Sequence, residues 1–340
     1  MKNKKMAKGH TLKLNSYSII LRRYNEKREK KSEVTFSEFF ESFRESTDKK
    51  VTQNTLFNRF YKFYLESFNS EFVKDKDGTK AYTPGDTIEK NTANFIIDGI
   101  FEGGLTGIEQ SVQDQKRKKL KSKISKDDVA ALPFYFLFWL PSDVNYGIIM
   151  IQSYGNSTIN SLVKDHLKKV FKKKGFTFDE QMCISNKDRE EFLEHSVVHE
   201  LSFLSTFESK NTGGEFSAYL GKAESFQVEV RIKNLHENTN KYFKGIKDIK
   251  KGLTDFIKLS IDGAKKIKES DPKAFYKGDN SRSHAVITDH KNFIPSLVLG
   301  EELKENGKQT PDLDSMRIYC KNYLKILQKE NNYTSQFLIK

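Results

Sequence analysis

Cysteine is nearly absent from this chain: Cys183 and Cys320 are the two in 340 residues, and neither belongs to a Cys-x-x-Cys pair. A disulfide framework and a thiolate zinc or redox centre are thereby excluded, and a reducing compartment, the cytoplasm, is the expected location. Long apolar runs are missing too. The longest, 129–140, has 12 residues with Pro133 inside it, well short of the ~20 that a membrane-spanning helix needs. The first ten residues are polar and basic with no apolar stretch of signal-peptide type behind them, so no secretory signal is expected. The sequence has no Walker A loop, no G-x-G-x-x-G and no G-x-S-x-G, and no cofactor is expected. Arginine is scarce, at ten of the 59 basic residues, which leaves 49 lysines.

What the chain has in quantity is positive charge and aromatic rings. Against 59 Lys+Arg stand 46 Asp+Glu, a formal net charge of +13, so an extended polyanion, DNA or RNA, is the first partner to consider. The 27 Phe and 14 Tyr are too many for a disordered basic tail and demand a folded core. Lysine is a solvated point charge, whereas arginine supplies bidentate contacts. The excess therefore says less about specific recognition than the same charge carried by arginine would. The bias towards Lys, Asn, Ile and Phe is that of an AT-rich genome. With no housekeeping motif present, it resembles accessory proteins of bacterial mobile elements and antiviral defence.

Periodicity gives the organisation. Alternation over 11–24 reads as one or two strands, and Phe36, Phe39, Phe40 and Phe43 recur at helical spacing, as do Leu56, Phe57, Phe60, Tyr64 and Leu65. Residues 75–86 are turn-rich and read as a surface loop. Residues 94–108, with glycines at 99, 103, 104 and 107, read as a strand with a bend or bulge. The segment 113–128 packs seven basic residues between Lys116 and Lys126 and reads as a solvated linker or long hairpin loop. Beyond it, 132–140 reads as a buried strand, 146–153 as its return, and Ser157 to Lys173 as a helix whose cap chemistry lies in Gly155, Asn156 and Ser157. Helical patterns follow at 188–200 and 240–269, with strands at 201–207, 225–233 and 285–287, a short one within 293–299, and a last helix from Asp312. The expected class is α+β, with mixed or antiparallel sheets covered by amphipathic helices. Two domains are expected, 1–112 and 129–340, joined by 113–128.

Three lysine-dense groups are the candidate nucleic-acid contacts: Lys116, Arg117, Lys118 and Lys119 in the charged segment, Lys164, Lys168 and Lys172 at four-residue intervals on one helix, and Lys247 and Lys251 on another. Such stripes release counterions from a phosphate backbone, although a solvated helix face in a lysine-rich protein has the same appearance. The aromatics around Arg59 and Lys62 suit base stacking or, more simply, a core. His195 and His199 are one turn apart if helical and could share a metal ion, but no third ligand is evident and no metal is expected. Glu208-Ser209-Lys210 matches the acid-x-Lys part of a nuclease motif; with 46 acids and 49 lysines, six or seven such triplets arise by chance. Glu229, Arg231 and Lys233 on one strand face, and Arg282 with His284 in a polar loop, complete the candidates. The expected function is nucleic-acid binding, with a metal-dependent nuclease and a non-enzymatic protein-interaction subunit as the alternatives.

Overall fold

The computed structural model describes residues 11–24, 32–47, 50–114, 120–155, 157–195, 197–208, 224–235, 265–269, 273–278, 281–286 and 296–339. The chain divides into two compact units, residues 1–185 together with 296–340, and residues 186–295. The border expected at 113–128 falls inside the first of these. Strands β5 (Ile96–Leu105) and β8 (Ala130–Trp139), on either side of it, pair from Ile96↔Trp139 to Leu105↔Ala130. A run of lysines keeps a segment in water wherever it lies, so charge marks exposure and not a domain border. That same unbroken register carries no bulge among the glycines of β5.

The first unit is built on a nine-stranded antiparallel sheet in the order β10-β1-β9-β8-β5-β3-β2, where β1 is Leu12–Arg23, β2 Val73–Lys74, β3 Lys80–Pro84, β9 Tyr146–Tyr154 and β10 Phe176–Met182. Two short strands complete it: β4 (Glu89–Asn91) pairs with β5, and β16 (Leu297–Val298) pairs with β1 on the edge that β10 also uses. The segment 75–86, expected as a loop, instead turns β2 into β3. Asp75 accepts the Thr79 and Lys80 N–H groups, Gly78 takes φ +66°, and Ala81 and Tyr82 are buried. Pro133 lies where β8 has β5 on one side and no β9 partner, since the β8–β9 ladder starts at Phe136; a residue without an N–H is tolerated there.

Helices cover both faces of this sheet. On one face lie α1 (Phe36–Glu41), α2 (Gln53–Glu66) and α3 (Asn160–Lys172). Thr35 and Glu38 form a reciprocal capping box on α1, and Thr52 caps α2. α3 begins without a side-chain cap, at Ile159 rather than in the 155–157 segment. Its apolar stripe, Ile159, Leu162, Val163, His166, Leu167, Val170 and Phe171, is buried as the spacing requires. The aromatics of α2 are core: Phe57, Phe60 and Tyr64 are fully buried, so none of these three offers a base-stacking surface. On the opposite face lies α5 (Leu313–Glu330), capped by Asp312 and carrying Arg317 against Asp98 of β5, while Tyr333 stacks on Tyr146.

The second unit holds α4 (Asn186–His195) and a five-stranded antiparallel sheet in the order β12-β11-β14-β15, with β13 also on β11. Here β11 is Val197–Glu208, β12 Ser225–Lys233, β13 Lys265–Glu269, β14 Lys273–Gly278 and β15 Ser281–Val286. The helix expected over 240–269 therefore ends differently, with 265–269 in a strand, and its remainder lies outside the described residues. Arg282 and His284, expected in a loop, belong to β15. β12 alternates along its whole length as read from the sequence, with Phe226, Val228, Val230 and Ile232 half-buried between exposed neighbours. No helix among the described residues is long and apolar enough to cross a membrane.

Candidate nucleic-acid interface

The basic segment after β5 is a ribbon. The chain leaves the large sheet at Thr106, whose N–H donates to Thr79 O (3.0 Å) and whose Oγ1 donates to Asp128 O (2.8 Å); Gly107 N–H then donates to Lys126 O (2.9 Å). Gly107 has φ +81°, and a Cβ there would stand 2.6 Å from the Gly78 carbonyl oxygen. Glycine is thus required where the ribbon root touches the β2–β3 turn. Strands β6 (Gln110–Gln113) and β7 (Leu120–Ile124) then pair with each other and, among the described residues, with nothing else. Lys121 and Lys123 project from β7, with Lys126 at the root. Lys116, Arg117, Lys118 and Lys119 fall between the two strands in sequence and lie outside the described residues. The ribbon also bears exposed apolar side chains, Ile108, Val112 and Leu120.

The α3 stripe is divided by its surroundings. Lys164 and Lys168 both pair with Glu180 of β10, at 2.6 and 3.0 Å. Lys164 lies 3.9 Å from the Tyr17 ring centroid, with its side chain only 13% exposed, so this ammonium group is turned into the protein. Burial pushes the Glu180 carboxyl up, but the hydrogen bonds from the two lysines outweigh it and hold the group below the usual range. Lys172 lies over Tyr24 at 4.9 Å and is exposed. Lys168, Lys169 and Lys172 line a cleft of about 210 Å³ whose other wall carries Lys74, Asp75 and Lys76, next to Ser161, Asp165 and His166. Lys74 and Lys76 carry no signal in the sequence beyond a polar turn. The hairpin is held near α3 by β3, where Lys80 Nζ donates to Thr158 O at 3.1 Å and Tyr82 meets His166. Lys247 and Lys251 lie outside the described residues.

His166, which the sequence places in the apolar stripe, closes the cleft from inside. The Tyr82 hydroxyl is 2.7 Å from its Nδ1, and Ser67 Oγ is 3.0 Å from its Nε2. Because Ser67 Oγ donates to the Tyr64 carbonyl (2.5 Å), it accepts from the imidazole. The neutral ring therefore carries its proton on Nε2 and accepts from Tyr82 at Nδ1. Burial, then the charges of Lys169 and Lys173, lower its pKa to about 4 from 6.5. A folded-state value below the unfolded one means that the unfolded chain takes the proton first. The stability so conferred is complete above pH 6.5 and is lost as the pH falls towards 4. We expect roughly 2–3 kcal/mol to disappear across that window. Urea melts at pH 7 and pH 4.5 check this: the drop shrinks in His166→Gln if the histidine causes it and is unchanged if carboxylates do.

His195 ends α4 while His199 lies on β11, so the two are not one helical turn apart. Among the described residues no group of three His, Cys, Asp or Glu is arranged to hold a metal ion. Glu229 accepts from Ser202 Oγ of β11 (2.7 Å) and is clasped by Arg231 of its own strand at 2.9 Å, which makes it part of a surface ion pair along β12. Glu208 ends β11, and Ser209 and Lys210 lie outside the described residues. Comparison with protein-family models, curated proteins and solved structures finds no match.

Proposed function

We propose that the chain binds nucleic acid, with the β6–β7 ribbon as its leading contact. One observation carries the reading: the root of the lysine-rich ribbon is hydrogen-bonded to the β2–β3 turn, whose Lys74 and Lys76 face Lys168, Lys169 and Lys172 across the cleft. Lysines from two places far apart in sequence, 74–76 and 168–172, thus line one cleft beside the ribbon root, which supports this reading. Strands of a ribbon lie about 4.8 Å apart, and the ~12 Å major groove of B-DNA admits a two-stranded ribbon, whereas the deep, narrow major groove of A-form RNA does not. Ser111, Gln113 and Ser122 on the ribbon supply donors and acceptors of the kind that read base edges, and the lysines neutralise phosphates. The setting, a cytoplasmic accessory protein of bacterial antiviral defence or of a mobile element, rests on composition and belongs to the same proposal.

Salt dependence tests it. Replacing Lys116, Arg117, Lys118 and Lys119 together by Gln is expected to lower the slope of log affinity against log salt by about 0.9 for each duplex phosphate that is no longer neutralised. Fluorescence anisotropy with a 20-base-pair duplex between 50 and 300 mM salt, repeated with duplex RNA, gives the slope and the preference. An unchanged slope, or no binding by the unaltered protein, overturns the reading. The exposed Ile108, Val112 and Leu120 favour one alternative, a protein-interaction ribbon; self-association without nucleic-acid affinity is its signature.

A further inference from the structure

We infer that the cleft between α3 and the β2–β3 turn is a seat for a compact polyphosphate group, either free or as the tail of a nucleotide. This goes beyond the ribbon contact and does not require it. Five ammonium groups line the cleft, those of Lys74, Lys76, Lys168, Lys169 and Lys172, against the carboxylates of Asp75 and Asp165. Asp75 is engaged in its own turn: Oδ1 accepts the Thr79 and Lys80 N–H groups and Oδ2 accepts the Thr79 hydroxyl, at 2.7, 3.2 and 2.8 Å. Lys168 is shared with Glu180. Lys74, Lys76, Lys169 and Asp165 make no ion pair among the described residues, so the cleft keeps an uncompensated positive charge around a concave floor.

Size and chemistry narrow the ligand. At about 210 Å³ the cleft is smaller than the ~300–1,000 Å³ that encloses a drug-sized molecule, so it takes an anionic head and leaves a base or sugar outside. No arginine lines it, and lysine acts on phosphate as a point charge rather than as the planar fork that selects carboxylates. Several ammonium groups within one small cleft suit an anion with several adjacent charges, which a single phosphate or carboxylate lacks. Burial first, and then the charges of Lys169 and Lys173, lower the basicity of His166 on the floor, in keeping with the lysines gathered around it.

Calorimetric titration of the full chain with tripolyphosphate, ATP and AMP at 50 mM salt tests the assignment. Saturable binding of tripolyphosphate is expected, with AMP at least tenfold weaker. ATP comparable to tripolyphosphate identifies a nucleotide tail, and ATP much weaker identifies free polyphosphate; both support the seat. Lys169→Ala combined with Lys172→Ala should weaken tripolyphosphate at least tenfold. Asp165→Asn should tighten it severalfold, a gain that a misfolded variant cannot give. Lys121→Ala with Lys123→Ala, on the ribbon, should leave it unchanged, which separates this site from the proposed DNA contact. In histidine NMR spectra, tripolyphosphate should raise the pKa of His166 by offsetting the two lysines. No saturable binding, equal affinity in the Lys169 and Lys172 double variant, or duplex DNA binding at these lysines without any uptake of tripolyphosphate, would overturn the inference.

Discussion

Asp98→Ala is expected to destabilise the first unit by about 3–5 kcal/mol, the usual cost of stripping one partner from a buried ion pair. Asp98 is 2% exposed on β5, where Oδ2 receives Arg317 Nε at 2.5 Å and the Tyr135 hydroxyl at 3.3 Å. The other guanidinium nitrogens reach Glu89 at 3.3 Å and Asp314 at 3.8 Å, both carboxylates well exposed. Without Asp98 the buried edge of the guanidinium faces Tyr135 and the fully buried Cys320, whose thiol burial already pushes well above its ordinary range. Neither can accept a charge-assisted hydrogen bond of comparable strength. Removing both charges is a different matter. Asp98→Leu combined with Arg317→Met should recover most of the stability, because no buried charge is then left alone. Trp139, the sole tryptophan and fully buried in this unit, provides a fluorescence probe of its unfolding. A single-variant cost below about 1 kcal/mol would show that water solvates Arg317 where the packing implies that it cannot.

Phe39→Ala is expected to cost about 3–5 kcal/mol as well, by a route that involves no charge. Phe39 is fully buried, and its ring centroid lies within 5.6 Å of five others: Phe171 at 4.2 Å, Phe60 at 5.1 Å, Phe176 at 5.3 Å, Phe43 at 5.4 Å and Phe40 at 5.6 Å. These rings come from α1 and the turn after it, α2, α3 and β10, so a void at this point loosens four elements together and cannot be closed by one rotamer change. Phe39→Leu should cost less, since most of the volume is kept. The midpoint in urea should fall with the slope unchanged. A cost no larger in Phe39→Ala than in Phe39→Leu would mean that the helices collapse into the gap.

Much of the first unit is visible in local pattern, because a buried strand or an amphipathic helix writes its own period into the chain. The 132–140 run, its return at 146–153 and the stripe from Ile159 to Phe171 are of this kind. What local pattern does not carry is the neighbour. The lysines at 164 and 168 have the spacing of a polyanion stripe, and only the pairing of β10 with β1 brings Glu180 beneath them. His166 has the position of an apolar residue, and its partners Ser67 and Tyr82 arrive from other elements. The β2–β3 hairpin does carry a turn pair, Asp77-Gly78, backed by Gly78 N–H on Asp75 O and by the Asp75 side chain, but the strands it joins are too short and too polar to show an alternating pattern. The His195 and His199 spacing is a helical period only while the helix lasts, and it stops at His195.

The edge of β1 shared by β10 and β16 has a topological consequence. Cys183 N–H donates to Ser16 O at 2.9 Å as the chain departs, and Ser296 Oγ donates to Asn15 at 2.7 Å as it comes back. Departure and return are thus secured to adjacent residues of one strand. Residues 186–295 form a cassette spliced into a gap that a short connector could bridge. Because the entropy of closing a loop grows only with the logarithm of its length, carrying this cassette costs the host sheet little. The host can in turn exchange or lose the cassette without re-registering any of its strands.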